Sequence, residues 1–93
     1  MPDLITREFP DFDLATLPAI PAHWLGSSWR NDTCPSFQIG DLYQIFIDYP
    51  NPAEREWAES CRYTLHSIDD GGGQHVVVHT DNWNDVLYVA SVL

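Results

Sequence analysis

The stretch CRYTLHSIDDGGGQHVVVHT, residues 61–80, carries the strongest local structural signal in the chain. Its central segment DDGGG, residues 69–73, supplies the positive φ angles that a tight hairpin loop needs, because glycine adopts them at no steric cost. Polar and apolar side chains alternate through residues 61–68, and three consecutive valines favour an extended backbone in residues 74–80. The stretch therefore predicts an antiparallel β-hairpin of two strands, 61–68 and 74–80.

Two histidines stand four positions apart in the second strand of this hairpin, which raises the question of a metal site. On a regular strand, His75 and His79 would share a face but lie about 13 Å apart. That separation is too large for both to bind one zinc ion at ~2.0–2.1 Å, unless His66 from the neighbouring strand lies opposite one of them. We therefore expect the histidines to lie on the solvent face, with Val76 and Val78 on the other face.

A further strand is predicted upstream, in DLYQIFIDY, residues 41–49. Every second residue belongs to one wholly apolar face, which is typical of a half-buried antiparallel strand. This face consists of Tyr43, Ile45, Ile47 and Tyr49. Two shorter strands are predicted at residues 27–31 and 36–39.

Downstream of the hairpin, the spacing of apolar residues predicts an amphipathic helix. From residue 83, they recur at i, i+3, i+4 and i+7, so that on a helix they form one stripe. The stripe consists of Trp83, Val86, Leu87 and Ala90. We expect this stripe to cover the sheet, with Thr80 or Asp81 as the N-cap of the helix.

The connection PNPAEREWAES, residues 50–60, has features of a helix start. Asn51 can cap the first turn, and Pro52 suits the first helical position because it lacks an N–H group. One or two helical turns are expected here, with Trp57 pointing inward.

Residues 1–22 contain four prolines, which prevent a continuous helix or a central strand. Apolar residues between the prolines argue against a free tail, so we expect an extended arm packed on a single domain at residues 23–93. The chain as a whole predicts an α+β fold. It comprises a small antiparallel sheet of three to five strands, a C-terminal helix packed across one face, and the extended proline-rich arm.

The 93-residue chain is long enough for one domain with one core. Apolar residues make up 44% and aromatic residues 13%, which predicts folding without a metal or disulfide scaffold. Acids and prolines occupy the N-terminal region where a signal peptide needs an apolar stretch, and the longest apolar run is too short to cross a membrane. We therefore expect a cytoplasmic protein, not associated with membranes, with Cys34 and Cys61 reduced.

The charge balance is the most unusual property of the sequence. Fourteen Asp and Glu residues stand against four Lys plus Arg residues, all four of them Arg, for a formal net charge of -10. Such a surface repels phosphate groups and anionic lipid, and attracts basic surfaces. Direct nucleic-acid binding is therefore disfavoured, and the alternative to a basic partner is that acidity only keeps the protein in solution.

No sequence motif indicates catalysis or cofactor binding. The P-loop, G-x-G-x-x-G and H-E-x-x-H patterns are absent from the sequence. A nucleophilic thiol would require Cys34 beside a histidine base, and nothing in the sequence brings such a pair together. We expect a protein that is not an enzyme and that binds no cofactor and no metal.

The acidic surface itself is the candidate binding site, because carboxylates on a rigid frame can imitate the phosphates of a nucleic acid. They would bind a basic partner at long range and in a salt-sensitive way. The predicted partner-binding carboxylates are Asp41, Asp48, Glu54, Glu56 and Glu59 in one group, and Asp69, Asp70, Asp81 and Asp85 in another. Tyr49 and Trp57 are candidate aromatic anchors, and core packing is the alternative for each.

In length, acidity, α+β pattern and lack of catalytic motifs, the chain resembles the small inhibitor proteins carried by phages and mobile elements. Anti-CRISPR proteins and DNA-mimicking anti-restriction proteins are the best known of these. The resemblance concerns overall character, so no functional residue is carried over from it. It implies a non-enzymatic inhibitor that binds a basic nucleic-acid-handling protein, such as a CRISPR effector complex, and blocks nucleic-acid access.

A second hypothesis comes from a different functional class. The protein would be a small accessory or immunity-type protein that binds a protein partner through an apolar face of its sheet. Its acidity would then be incidental, and its binding would not depend on salt.

Overall fold

The computed structural model describes the backbone of residues 2–93 and the side chains from residue 5 onward. Five antiparallel strands form one sheet in the order β1-β2-β3-β4-β5. The strands are β1 Leu25–Gly26, β2 Ser36–Ile39, β3 Tyr43–Ile47, β4 Tyr63–Ile68 and β5 Gln74–Thr80. The α-helices are α1 Pro2–Glu8 and α2 Trp83–Ser91, with 3₁₀ turns at Leu14–Thr16 and Pro52–Glu54. The predicted α+β class, with an antiparallel sheet and a C-terminal helix, is confirmed.

The predicted β4–β5 hairpin is present, and Asp69 organises its turn. The Oδ1 atom of Asp69 accepts hydrogen bonds from the backbone N–H groups of Gly71, at 3.0 Å, and Gly73, at 2.7 Å. Gly72 between them has a φ of 81°, a conformation that residues with a Cβ rarely adopt. The loop composition therefore predicted the turn for the physical reason that the structure shows.

Replacing Gly72 by alanine is expected to destabilise the fold by about 1–2 kcal/mol, because alanine is strained at a positive φ. Gly71→Ala is the matched control, since its Cβ would lie at an ordinary contact distance of 3.6 Å from Asp69 Oδ1. Urea unfolding of both variants measures the difference. Equal stabilities for the two would contradict the role of Gly72.

The β4–β5 ladder contains a bulge that the alternation of residues in the sequence does not reveal. Leu65 pairs with Val78, whereas the next residue, His66, pairs with Val76. Val77 is therefore an extra residue in β5, and the alternation of faces is inverted beyond it.

This bulge corrects the predicted faces of the hairpin. Val78 packs against the core, whereas Val76 lies on the opposite face and is 60% exposed. Because of the extra residue, His75 and His79 belong to opposite faces, where a regular strand would have placed them together. The prediction that both valines share one face and both histidines the other is wrong.

The core lies between one face of the sheet and α2, as the apolar stripe predicted. Val86 of α2 is completely buried, and the Trp83 ring contacts Trp24, at 5.8 Å between centroids, and Tyr63, at 5.0 Å. The predicted helix cap is wrong by one or two residues. Asn82 is the N-cap, and its side chain accepts a hydrogen bond from the Asn84 N–H at 3.0 Å.

The strand predicted at residues 27–31 is also displaced, since β1 ends at Gly26. The hydroxyl of Ser28 accepts a hydrogen bond from the Ser36 N–H at 3.1 Å. Because this side chain takes the place of a backbone partner, the regular ladder stops there. The strand predicted at residues 36–39 is β2.

The N-terminal residues pack on the body through apolar side chains, and Ile5, Phe9 and Phe12 are buried in the core. The first part of the predicted extended arm is helical, over α1 Pro2–Glu8. Pro2 stands at the first position of this helix, where its missing N–H group breaks no hydrogen bond. The division of the chain at residue 22 stays a prediction.

Candidate binding surface

The predicted partner-binding carboxylates fall at two opposite ends of the sheet. Because neighbouring strands are antiparallel, the β2–β3 and β4–β5 turns share one end, where the Ile68 N–H donates to the Leu42 carbonyl at 2.7 Å. This end, the hairpin end, carries Asp41, Asp69 and Asp70. The other end, the helix-start end, carries Asp48, Glu54, Glu56, Glu59, Asp81 and Asp85.

The structure thus divides the second predicted group of carboxylates, Asp69, Asp70, Asp81 and Asp85, between the two ends of the sheet. Asp69 and Asp70 precede β5, whereas Asp81 and Asp85 follow it. The seven residues of β5 separate the two pairs by roughly 20 Å at ~3.3 Å per residue. The six carboxylates of the helix-start end are therefore the larger candidate surface.

Three of the four carboxylates in the second predicted group are engaged with their own chain. Asp69 also lies 2.9 Å from His75 Nε2, and the bonds from His75 and the turn N–H groups lower the pKa of Asp69. Asp81 accepts a hydrogen bond from the Arg62 N–H at 2.8 Å. Asp85 accepts one from the Thr80 hydroxyl at 2.9 Å. These residues stabilise turns, and this role limits what they offer to a partner.

Glu54, Glu56 and Glu59 are exposed, and they lie in the connection between β3 and β4. The start of this connection forms as predicted, since Asn51 caps a turn that begins at Pro52. The turn is a short 3₁₀ helix of three residues.

Arg55 fixes the rest of this connection from inside. Its guanidinium donates to the carbonyl groups of Tyr49, at 2.8 Å, Ser60, at 2.6 Å, and Pro50, at 3.3 Å. The side chain is only 7% exposed, and it also approaches the Asp81 carboxylate at 3.9 Å. Because the arginine is directed inward, the glutamates around it are displayed on a fixed backbone.

Arg62 is directed inward in the same way. Its guanidinium donates to the carbonyl groups of Asp48, at 3.0 Å, and Thr16, at 2.9 Å, and lies 5.4 Å from the centre of the Tyr63 ring. Two of the four cationic side chains of the protein are therefore occupied by backbone carbonyls and an aromatic ring. This leaves the exposed carboxylates with less opposing charge at the surface than the composition suggests.

The two candidate aromatic anchors have different environments. Trp57 is 64% exposed, so the prediction that it points inward is wrong, and its indole is accessible to a partner. Tyr49 packs against Phe12, with ring centroids 5.1 Å apart, and is half-buried. Burial and nearby carboxylates raise the pKa of Tyr49. Of the pair, Trp57 is the better anchor.

A groove of about 490 Å³ crosses the face of the sheet opposite α2. Loop residues 31–34 contribute to its walls together with Trp57 and Ser60 of a second loop, and Phe46, Thr64 and His66 contribute to its floor. Sequence alternation assigned Phe46 and Asp48 to this face of β3, but nothing in the sequence indicated that two loops would rise beside them.

Cys34 lines this groove, but its thiol is a poor nucleophile. The residue is 3% exposed, and burial, followed by the charge of Asp48, raises the pKa of the thiol to about 12. The Sγ atom of Cys34 accepts a hydrogen bond from the Thr33 hydroxyl at 4.0 Å, and the Nε2 atom of the nearby His79 is engaged with the Cys61 N–H at 3.0 Å. Both cysteines are free thiols.

In the folded protein at pH 8, Cys34 is expected to react with a chromogenic thiol reagent about 1000-fold more slowly than an ordinary thiol. The raised pKa lowers the thiolate fraction by that factor, and burial slows access further. The half-buried Cys61 should account for the first thiol titrated. In a Cys61→Ser variant, rapid reaction of the remaining thiol without denaturant would contradict this expectation.

Among the side chains that the structure describes, from residue 5 onward, no three of His, Cys, Asp or Glu lie close enough together to hold a metal ion. A zinc site on the hairpin would have required His66 to lie opposite His75 or His79. In the structure, His66 pairs with Val76 instead. Burial, and to a lesser degree His79, lowers the pKa of His66.

Comparison of the chain with protein-family models, with curated proteins and with solved structures gave no match. Among the helices of residues 2–93, none has the length and apolar character needed to cross a lipid bilayer.

Proposed function

We propose that this protein is a non-enzymatic inhibitor that binds a basic, nucleic-acid-handling protein complex and blocks nucleic-acid access. The helix-start end makes the contact. The observation that carries the proposal is the display of Glu54, Glu56 and Glu59 on a connection that Arg55 fixes from inside.

Electrostatics favours this activity over direct nucleic-acid binding. A groove that holds nucleic acid presents Lys and Arg side chains at the spacing of phosphates, and fixed carboxylates can occupy the same positions. Rigidity matters, because a mobile acidic loop would lose conformational entropy on binding, whereas an ordered one does not. The exposed Trp57 among these glutamates would supply an apolar anchor in the centre of the contact.

The resemblance to anti-CRISPR proteins gives the class of target to test first, a CRISPR effector complex. In that form of the proposal, the protein occupies the positively charged channel in which the effector holds target DNA. The length, the acidity and the small α+β fold of the chain support this choice of target.

One observation favours the second hypothesis, an accessory or immunity-type protein with an apolar interface. The strand β5 is an edge of the sheet, and its exposed Val76 and Val77 are the kind of residues on which a partner strand packs. Binding at this edge would use backbone hydrogen bonds and apolar contacts, and it would not weaken with salt.

Affinity capture from host lysate tests the proposal. The tagged protein is incubated with lysate at low salt, the bound proteins are eluted by a step to high salt, and both fractions are identified by mass spectrometry. Release of a nucleic-acid-handling complex by salt is the expected result. A partner that stays bound at high salt would overturn the electrostatic proposal in favour of the apolar interface.

A further inference from the structure

The groove opposite α2 combines three chemical features that point to one kind of ligand. Phe46 supplies aromatic surface inside it, and Trp57 supplies a second, more exposed ring at the loop that borders it. Asp32 and Asp48 add carboxylates. The side chains that line it include no arginine, and Arg55 and Arg62 act on Asp48 only from outside the groove.

The half-buried His66 does not offset this acidity, because burial, and to a lesser degree His79, lowers the pKa of its imidazole and favours the neutral form. The Nε2 atom of His79 accepts a hydrogen bond from the Cys61 N–H. The groove is therefore acidic and aromatic, and no arginine lines it.

We propose that this groove receives one arginine side chain of the basic partner, with its guanidinium bound by Asp48 and stacked against Trp57. The inference deepens the proposed function, on which it rests, by identifying one specific contact within the acidic surface. A guanidinium suits the site because it is planar, stacks on aromatic rings and forms directional hydrogen bonds with carboxylates. The volume of about 490 Å³ lies within the ~300–1,000 Å³ typical of ligand sites.

The raised pKa values of the two carboxylates support this choice of ligand. Asp48 is partly buried, and desolvation raises its pKa even though the Tyr49 N–H, Arg55 and Arg62 act in the opposite direction. Burial also raises the pKa of Asp32. A guanidinium inside the groove would stabilise the ionised form of both groups and so offset the cost of their burial.

Nuclear magnetic resonance titration with a short peptide tests the inference. The probe is acetyl-Gly-Gly-Arg-Gly-Gly-amide, and the control peptide carries citrulline, which has the shape of arginine without its charge. Saturable shifts of the backbone amides of Phe46, Asp48 and Thr64 are expected with the arginine peptide and not with the citrulline peptide. Shifts spread evenly over the exposed carboxylates at both ends of the sheet would overturn the inference.

Matched variants locate the contact. Asp48→Asn keeps an oxygen that can accept the Tyr49 N–H, bonded at 2.8 Å in the native protein, and removes only the charge. This variant should lower the affinity for the arginine peptide about 10-fold. Asp41→Asn, the same change at the hairpin end, should leave that affinity within about 2-fold of the native value. Trp57→Ala should also lower the affinity for the arginine peptide. The control Trp29→Ala should leave it unchanged, because Trp29 is 55% exposed but lies outside the groove.

The two proposals fail in different ways. If Asp48→Asn and Asp41→Asn lower the peptide affinity equally, the arginine site is wrong, while salt-released capture of a basic complex would still support the inhibitor. If the peptide binds at Asp48 but lysate capture gives no basic partner, the inhibitor proposal fails and the arginine site stands.

Discussion

A double variant Glu56→Lys with Glu59→Lys is expected to weaken binding of the basic partner by about 100-fold, with little loss of folding stability. Each replacement turns an attraction into a repulsion, and interface charge pairs in close contact couple by ~1.5–7 kcal/mol. Both glutamates are exposed and make no hydrogen bond with any part of the chain that the structure describes. Such surface changes usually alter the free energy of unfolding by less than about 0.5 kcal/mol.

The matched control is Asp41→Lys with Asp70→Lys at the hairpin end. Both double variants raise the formal net charge from -10 by the same amount, to -6, so a diffuse electrostatic attraction would weaken equally in the two. A specific contact at the helix-start end predicts a large loss for the first variant and a small one for the second. Affinity for the captured complex should be measured by surface plasmon resonance at two salt concentrations. Equal losses would limit the role of charge to long-range attraction.

The hairpin and α2 could be predicted from the sequence because their signals are local. A glycine-rich loop between two extended segments specifies a turn within a few residues, and the stripe that begins at Trp83 specifies one buried helix face. The antiparallel pairing of β4 with β5 then followed, since a short loop joins the two strands. Nothing in these steps depends on contacts between distant parts of the chain.

The errors arise where a side chain makes a non-local bond or where the strand period is broken. The extra residue at Val77 inverts the faces of β5, and period-two counting has no means of anticipating it. The hydroxyl of Ser28 bonds to a residue eight positions away, which ends β1 early. Trp57 was expected to point inward as part of a helix, but the helical turn ends at Glu54.

The candidate surface was predictable in composition but not in arrangement. Its acidic residues could be identified directly, whereas their division between two ends of the sheet depends on where the strands begin and end. The groove could not be foreseen, because it depends on how two loops pack above β3 and β4. Nor does the sequence indicate that Arg55 and Arg62 point inward, since isolated arginines are usually exposed.

Replacing Arg55 by glutamine is expected to weaken partner binding, although it makes the protein more acidic. By charge alone, the change from -10 to -11 should strengthen attraction to a basic surface. The structure predicts the opposite, because Arg55 donates to three carbonyls of the connection that displays Glu54, Glu56 and Glu59. Hydrogen bonds from a charged group contribute ~1.5–3 kcal/mol each at most, and we expect a total loss of stability of about 2–4 kcal/mol.

Arg30→Gln is the control for this prediction, because it changes the net charge equally at an exposed arginine outside the connection. It should bind the partner as well as the native protein or slightly better. Hydrogen exchange of the backbone amides in residues 51–60 should accelerate in Arg55→Gln and not in Arg30→Gln, since only the first loses the bonds that hold the connection. If both variants gain affinity, the partner responds to net charge alone. If only Arg55→Gln loses affinity, binding depends on the fixed geometry of the glutamates, because a more acidic but mobile connection then binds less well than a less acidic and ordered one.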